Sequence, residues 1–177
     1  RGIIGAGSNR MNRYTVAKAT QGLANYIRKA GDKAIAGGVV IAYDSRRKSP
    51  EFALDAALVL CANGIRTYLY TELQPTPVLS FSVRELGATA GIVITASHNP
   101  PEYNGYKVYW SDGGQVPPHL DHEIIPEVNN VESFEAIRTM PVQWAKDKGL
   151  LRYIGEEVLV KYIQKVKDLC IDKELVK

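Results

Sequence analysis

The chain has 177 residues, 45% hydrophobic and 23% charged, a composition that gives one ordinary globular domain with a buried core and excludes a chain disordered as a whole. A formal net charge of +3, scattered along the chain, is too small to argue for a nucleic-acid partner. The longest apolar runs, such as 53–62 with Asp55 inside, fall well short of a membrane span, and no charged-then-apolar leader follows Arg1. A cytoplasmic location, with neither nucleic acid nor membrane as partner, is the expectation.

Apolar residues at Val16, Ala19, Leu23 and Ile27 predict a packing helix from Thr15 to Ala30, stopped at Gly31. Gly38 to Tyr43 reads as a buried strand, and Asp44 to Lys48 as the loop at its C-terminal end. In that loop Arg46, Arg47 and Lys48 are either solvated or an anion-facing patch. Ser49, Pro50 and Glu51 mark a helix start, with the serine as cap, proline in the first position and an acid near the positive end of the dipole. That helix should run to Asn63, before Gly64. Arg66 to Tyr70 follows as a strand, and Pro75-Thr-Pro77 opens a helix to Leu86. A strand ending at Thr95, a loop and a strand ending at Trp110 come next.

Beyond Trp110 the pattern is less regular. His119 to Asn130 reads as a short helix that Pro126 would kink or split, and its His119 and His122 read as an exposed polar face. Tyr153 to Cys170 is an amphipathic helix with Val158, Leu159, Tyr162, Ile163, Val166 and Leu169 on one side. Cys61 and Cys170 lack any Cys-x-x-Cys spacing and read as buried or half-buried thiols. Alternating strands and helices imply an α/β fold, a three-layer α/β/α sandwich with a mixed, mainly parallel sheet. In such sheets sites lie beyond the C-terminal strand ends, which places residues 44–48 and 96–104 together.

The loop Thr95-Ala-Ser-His-Asn-Pro-Pro-Glu-Tyr-Asn-Gly105 cannot be helical, because of Pro100, Pro101 and Gly105. It lies between two apolar strands and can present Ser97 to a cleft from a rigid base. His98 is adjacent to Ser97, and neighbours in an extended segment point to opposite sides, so it does not suit the base of a Ser-His-Asp triad. Ser97 is also outside any Gly-x-Ser-x-Gly elbow. Local chemistry alone leaves two readings open, an ordinary turn or a reactive serine.

Thr95-Ala-Ser-His-Asn-Pro100 with Asn104-Gly-Tyr-Lys107 resembles the active-serine loop of the α-D-phosphohexomutases, the phosphoglucomutase and phosphomannomutase superfamily. Arg1-Gly2 with Gly5-Ala-Gly-Ser-Asn-Arg-Met-Asn12 is similar to the end of that family's N-terminal Gly-Leu-Arg-Gly segment, in a form most like the phosphoglucomutase and phosphopentomutase branch. Tyr43-Asp-Ser-Arg46 with Ser49, and Pro75-Thr-Pro77, continue the likeness in the family's order.

The resemblance implies that residues 1–177 are the first of four domains of an intramolecular phosphotransferase, with 95–107 its active-serine loop and 155–177 its last helix and the lead into a second domain. It implies Ser97 as phosphoryl carrier, Lys107 and Arg1 beside the phosphate, and His98 in orientation or proton transfer. It implies a magnesium ion touched in this chain only by the phosphate on Ser97, the other ligands coming from another domain. A sugar bisphosphate would be the intermediate, a phosphosugar the substrate, and the fragment inactive alone. Glucose, mannose and pentose phosphates remain open as substrates, and a non-catalytic phosphosugar-binding module is the reading from another class.

Overall fold

Val39–Tyr43 and Ala90–Ile94 are buried along their whole length, which a sheet allows only when both of its faces are covered. A computed structural model describes residues 1–171. In chain order its elements are β1 (Gly2–Ile3), α1 (Arg13–Lys29), α2 (Asp32–Gly37), β2 (Val39–Tyr43), α3 (Ser49–Ala62), β3 (Thr67–Tyr70), α4 (Thr76–Glu85), β4 (Ala90–Ile94), β5 (Tyr103–Asn104), β6 (Tyr106–Trp110), α5 (Pro118–Asn129), a 3-10 turn (Phe134–Ala136), α6 (Val142–Asp147), β7 (Leu151–Ile154) and α7 (Glu156–Asp168).

The main sheet has the order β6-β4-β2-β3-β7. Its last four members run parallel, and β6 is antiparallel to β4. Alternation divides β2 between two cores. Val39, Ile41 and Tyr43 pack with Leu23, Ile27 and Leu60 of α1 and α3, whereas Val40 and Ala42 pack with Val78, Leu79 and Val83 of α4 and Val158 of α7. The result is the expected three-layer sandwich. β1 and β5 form a separate antiparallel pair, Gly2 opposite Asn104, which ties the N-terminal segment to the serine loop.

Asn12 caps α1 through both Tyr14 N–H and Thr15 N–H, and Thr15 Oγ1 accepts the Asn12 N–H in return. A Cβ on Gly22 would stand 2.5 Å from Val128, so this residue sets how closely α1 and α5 approach.

Three expectations need correction. Ser49 is the first residue of α3 and not its cap; Lys48 holds the cap position in a left-handed conformation without a side-chain cap bond. Residues 151–154 form β7, so the last helix begins at Glu156 and ends at Asp168; residues 172–177 of the expected 155–177 segment lie outside the described residues. Pro126 does not split α5, which is one helix through it; the missing N–H would have met the carbonyl of His122, a residue open to water. The short helices α2 and α6 were not expected.

His119 and His122 are exposed, Cys61 is buried and Cys170 half-buried. No helix among the described residues is long and apolar enough to cross a membrane.

Candidate active site

β2 and β4 are parallel neighbours, so the loops that follow them leave the sheet at the same end. Asp44 N–H donates to Ile94 C=O at 3.2 Å, joining the two exits. Beyond that edge the chain turns tightly: Thr95 N–H donates to Gly105 C=O (3.0 Å), Ser97 N–H to Thr95 Oγ1 (2.9 Å) and Asn99 N–H to Ala96 C=O (3.1 Å). Ser97 has φ of 56°, and His98 after it does not have positive φ. That sign pattern belongs to a type II′ turn, whose first central position ordinarily takes glycine. Holding a serine there costs about 1–3 kcal/mol, a local strain the surrounding bonds must offset.

The turn exposes Ser97 while Thr95 and Ala96 stay buried. Lys107, opposite Val93 on β6, is half-buried and reaches back to the turn, its Nζ donating to Ser97 Oγ at 2.7 Å. Burial and then the nearby Arg1 guanidinium push the Lys107 ammonium below the ordinary lysine range, with Asp44 opposing them. Arg1 Nη1 donates to Asn99 Oδ1 at 3.3 Å. Arg1, Ser97, His98, Asn99 and Pro100 line one open hollow of about 510 Å³. All four expected residues therefore meet in one place. His98 lines the hollow without bonding Ser97, which agrees with its rejection as a triad base.

The sequence left Arg46 either solvated or part of an anion-facing patch. Its guanidinium donates to four carbonyl oxygens of the serine loop: Ser97 (2.8 Å), Asn99 (2.6 Å), Pro100 (2.9 Å) and Tyr103 (3.0 Å). Its side chain is 14% exposed, and Asp44 Oδ2 lies 3.7 Å from its Nε. Arg46 thus holds the loop together and is not an anion-facing residue. Asp44 Oδ1 accepts from Arg46 N–H and Ser49 Oγ, both at 3.0 Å. The buried Asn104 donates to Ser49 Oγ (2.9 Å) and Arg47 C=O (3.0 Å) and accepts from Gly105 N–H.

A larger hollow of about 730 Å³ lies between residues 4–7 and α3, where apolar atoms dominate and Arg13 with Asp55, and Lys48 with Glu51, are already ion-paired. It brings no nucleophile to a cation, so chemistry and not size selects the serine hollow. The donors there, one hydroxyl between two cations, do not by themselves fit magnesium, which takes several oxygen ligands, commonly carboxylates. No group of three or more His, Cys, Asp or Glu able to hold a metal occurs among the described residues.

An α/β/α domain that presents an exposed serine to a lysine at its C-terminal sheet edge is the class defined by this fold and site. Residues 1–135 match the model for phosphoglucomutase/phosphomannomutase, alpha/beta/alpha domain I, and the chain belongs to that family. A Schizosaccharomyces pombe protein named a probable phosphoribomutase is 49% identical over 120 residues, covering 67% of this chain and 20% of that protein. A phosphoglucomutase of Staphylococcus saprophyticus is 38% identical over 169 residues, covering 96% of this chain and 30% of that enzyme. This chain therefore spans between about a fifth and a third of these relatives. Parafusin of Paramecium, a phosphoglucomutase in its open form, superposes with a TM-score of 0.68 at 18% identity, over 88% of this chain and 32% of that one, a likeness of fold alone.

Proposed function

We propose that this chain is the N-terminal catalytic domain of a magnesium-dependent phosphoglucomutase-like enzyme, moving a phosphoryl group between the 1- and 6-positions, or 1- and 5-positions, of a sugar. The observation that carries it is the exposed Ser97 Oγ held 2.7 Å from Lys107 Nζ, beside Arg1. In this reading Ser97 carries the phosphoryl group in the resting enzyme. A sugar hydroxyl oxygen bonds to phosphorus as the bond from phosphorus to Ser97 Oγ breaks, giving a sugar bisphosphate. After the bisphosphate turns round, Ser97 takes the other phosphoryl group and the isomeric monophosphate leaves.

Lys107 as an ammonium stabilises the departing serine oxygen and can return a proton to it; neutral, it can accept the proton of the attacking hydroxyl. Its lowered pKa favours that exchange. Arg1 offers a planar guanidinium to the phosphate oxygens, and His98 orients or transfers a proton nearby. Magnesium would be held in this chain only through the phosphate oxygen on Ser97, with its other ligands from the remaining domains of the enzyme, and would supply charge neutralisation at the phosphoryl group. Residues 1–177, with 155–177 as the lead into a second domain, are the first of four domains and do not complete a turnover alone.

The 49% identity to a protein named a phosphoribomutase favours a pentose phosphate as the second substrate reading. Assaying the intact enzyme with glucose 1-phosphate and ribose 1-phosphate separates the two. Ser97→Ala abolishes turnover with either sugar; normal turnover in that variant contradicts the proposal, and binding without turnover in the unmodified enzyme points to a sensor.

A further inference from the structure

Resting on the phosphoryl-carrier reading of Ser97, a third donor at the phosphate, besides Lys107 and Arg1, can be located on the backbone. The four carbonyls that Arg46 gathers include that of Ser97, at 2.8 Å. The peptide joining Ser97 to His98 is trans, as all peptides of the described chain are, and in a trans peptide the N–H points opposite to the C=O. The His98 N–H therefore points away from Arg46. In the Ala96–Asn99 turn that peptide stands across the turn, one end on each face. The hollow that holds Ser97 is lined by Arg1, Ser97, His98, Asn99 and Pro100 and not by Arg46.

Across residues 97–101 the other N–H groups are committed or missing. Ser97 N–H bonds Thr95 Oγ1 and Asn99 N–H bonds Ala96 C=O. Pro100 and Pro101 have none. The His98 N–H has no acceptor among the described residues, and it follows directly on an exposed serine.

We propose that the His98 backbone N–H binds a phosphate oxygen at Ser97, and that Arg46 is the positioning residue that aims it by holding the Ser97 carbonyl on the opposite face. The anion site of this domain then has three donors of different kinds: the Lys107 ammonium, the Arg1 guanidinium and one fixed amide. The amide contributes direction, because unlike the two long side chains it cannot swing away. Lysine in place of Arg46 keeps the charge but, with three donors on one nitrogen, cannot chelate four carbonyls spread from Ser97 to Tyr103.

The test is a titration of the unphosphorylated 177-residue chain with inorganic phosphate, followed by the amide proton and nitrogen shifts of the loop. In the unsubstituted chain the His98 amide moves downfield and saturates, more than any other loop amide. In R46K that shift is lost and phosphate binds about tenfold or more weakly, as expected for losing one hydrogen bond to a charged group. An unmoved His98 amide in the unsubstituted chain overturns the proposal, whether or not R46K folds. An equal shift in a folded R46K overturns the role of Arg46. Because the titration uses no phosphoserine, a failure of Ser97 to accept phosphate would defeat the mutase reading separately, and would show as unphosphorylated protein.

Discussion

Gly105→Ala probes the link between loop packing and chemistry. A Cβ at Gly105 would stand 2.5 Å from Thr95 O, where ordinary contact begins near 3.4 Å, and 3.0 Å from Arg1 Cγ. Gly105 does not have positive φ, so alanine meets no backbone penalty there and the effect is one of contact alone. The obstacle is a carbonyl at the end of β4, and it cannot rotate aside as a side chain would. Relief requires the loop base to shift by about 1 Å, and overpacking of this kind costs about 1–3 kcal/mol. For a domain of this size that lowers Tm by roughly 2–12 °C. The same shift carries the 2.7 Å bond between Lys107 and Ser97 out of hydrogen-bond range. Displacements of this size can lower a rate by about 10²-fold. Calorimetry of the chain and the single-turnover phosphoryl transfer of the intact enzyme measure the two effects. An unchanged Tm refutes the contact argument, and an unchanged rate with a lowered Tm refutes the dependence on the geometry of Lys107 and Ser97.

Ser49→Ala removes the buried hydroxyl that Asn104 donates to and that donates to Asp44, and should cost about 1–3 kcal/mol, read as a lower urea midpoint at unchanged slope. Lys107, its pKa lowered by burial and by Arg1, should be acylated ahead of the exposed lysines at mildly alkaline pH; peptide mapping that shows it among the slowest contradicts this. Tyr26 donates to Glu123 at 2.5 Å, and that bond, with burial and the Glu123 charge, pushes its pKa up to about 12. Above about pH 10 the unfolded tyrosine ionises while the folded one keeps its proton, so the stabilisation is complete below pH 10 and is lost as pH rises towards 12. Tm should fall more steeply over that window in the unsubstituted protein than in Tyr26→Phe; parallel curves contradict it.

The centre of the fold was readable because it rests on strong local signals. Gly38 to Tyr43 and the strand ending at Thr95 are unbroken apolar runs, and Gly31, Gly64 and Gly87 punctuate the helices. β7 escaped because Leu151 and Ile154 are its buried members and Arg152 and Tyr153 between them are exposed, a spacing that also fits a helix. α2 and α6 have six residues each, too few to show a period. At the site, the meeting of Ser97 with Lys107 was legible through the family resemblance, which implied both beside the phosphate; the antiparallel β6 after the loop is what lets Lys107 turn back to the serine. Arg46 was not legible, since its partners are backbone carbonyls 51 to 57 positions away, which leave no mark in side-chain pattern. Ser49 was misassigned for a related reason. Ser-Pro-Glu satisfies the rules for a cap, yet the hydroxyl is recruited by Asp44 and Asn104, a tertiary use that a local motif does not display.

The most direct measurement is the location of phosphate in the intact enzyme, by fragmentation mass spectrometry before and after addition of a sugar monophosphate. A single phosphate on Ser97 that leaves with the sugar, and is absent from Ser97→Ala, is the predicted result. Phosphate on another residue, or turnover that proceeds while Ser97 stays bare, would contradict the assignment of this hydroxyl as the carrier.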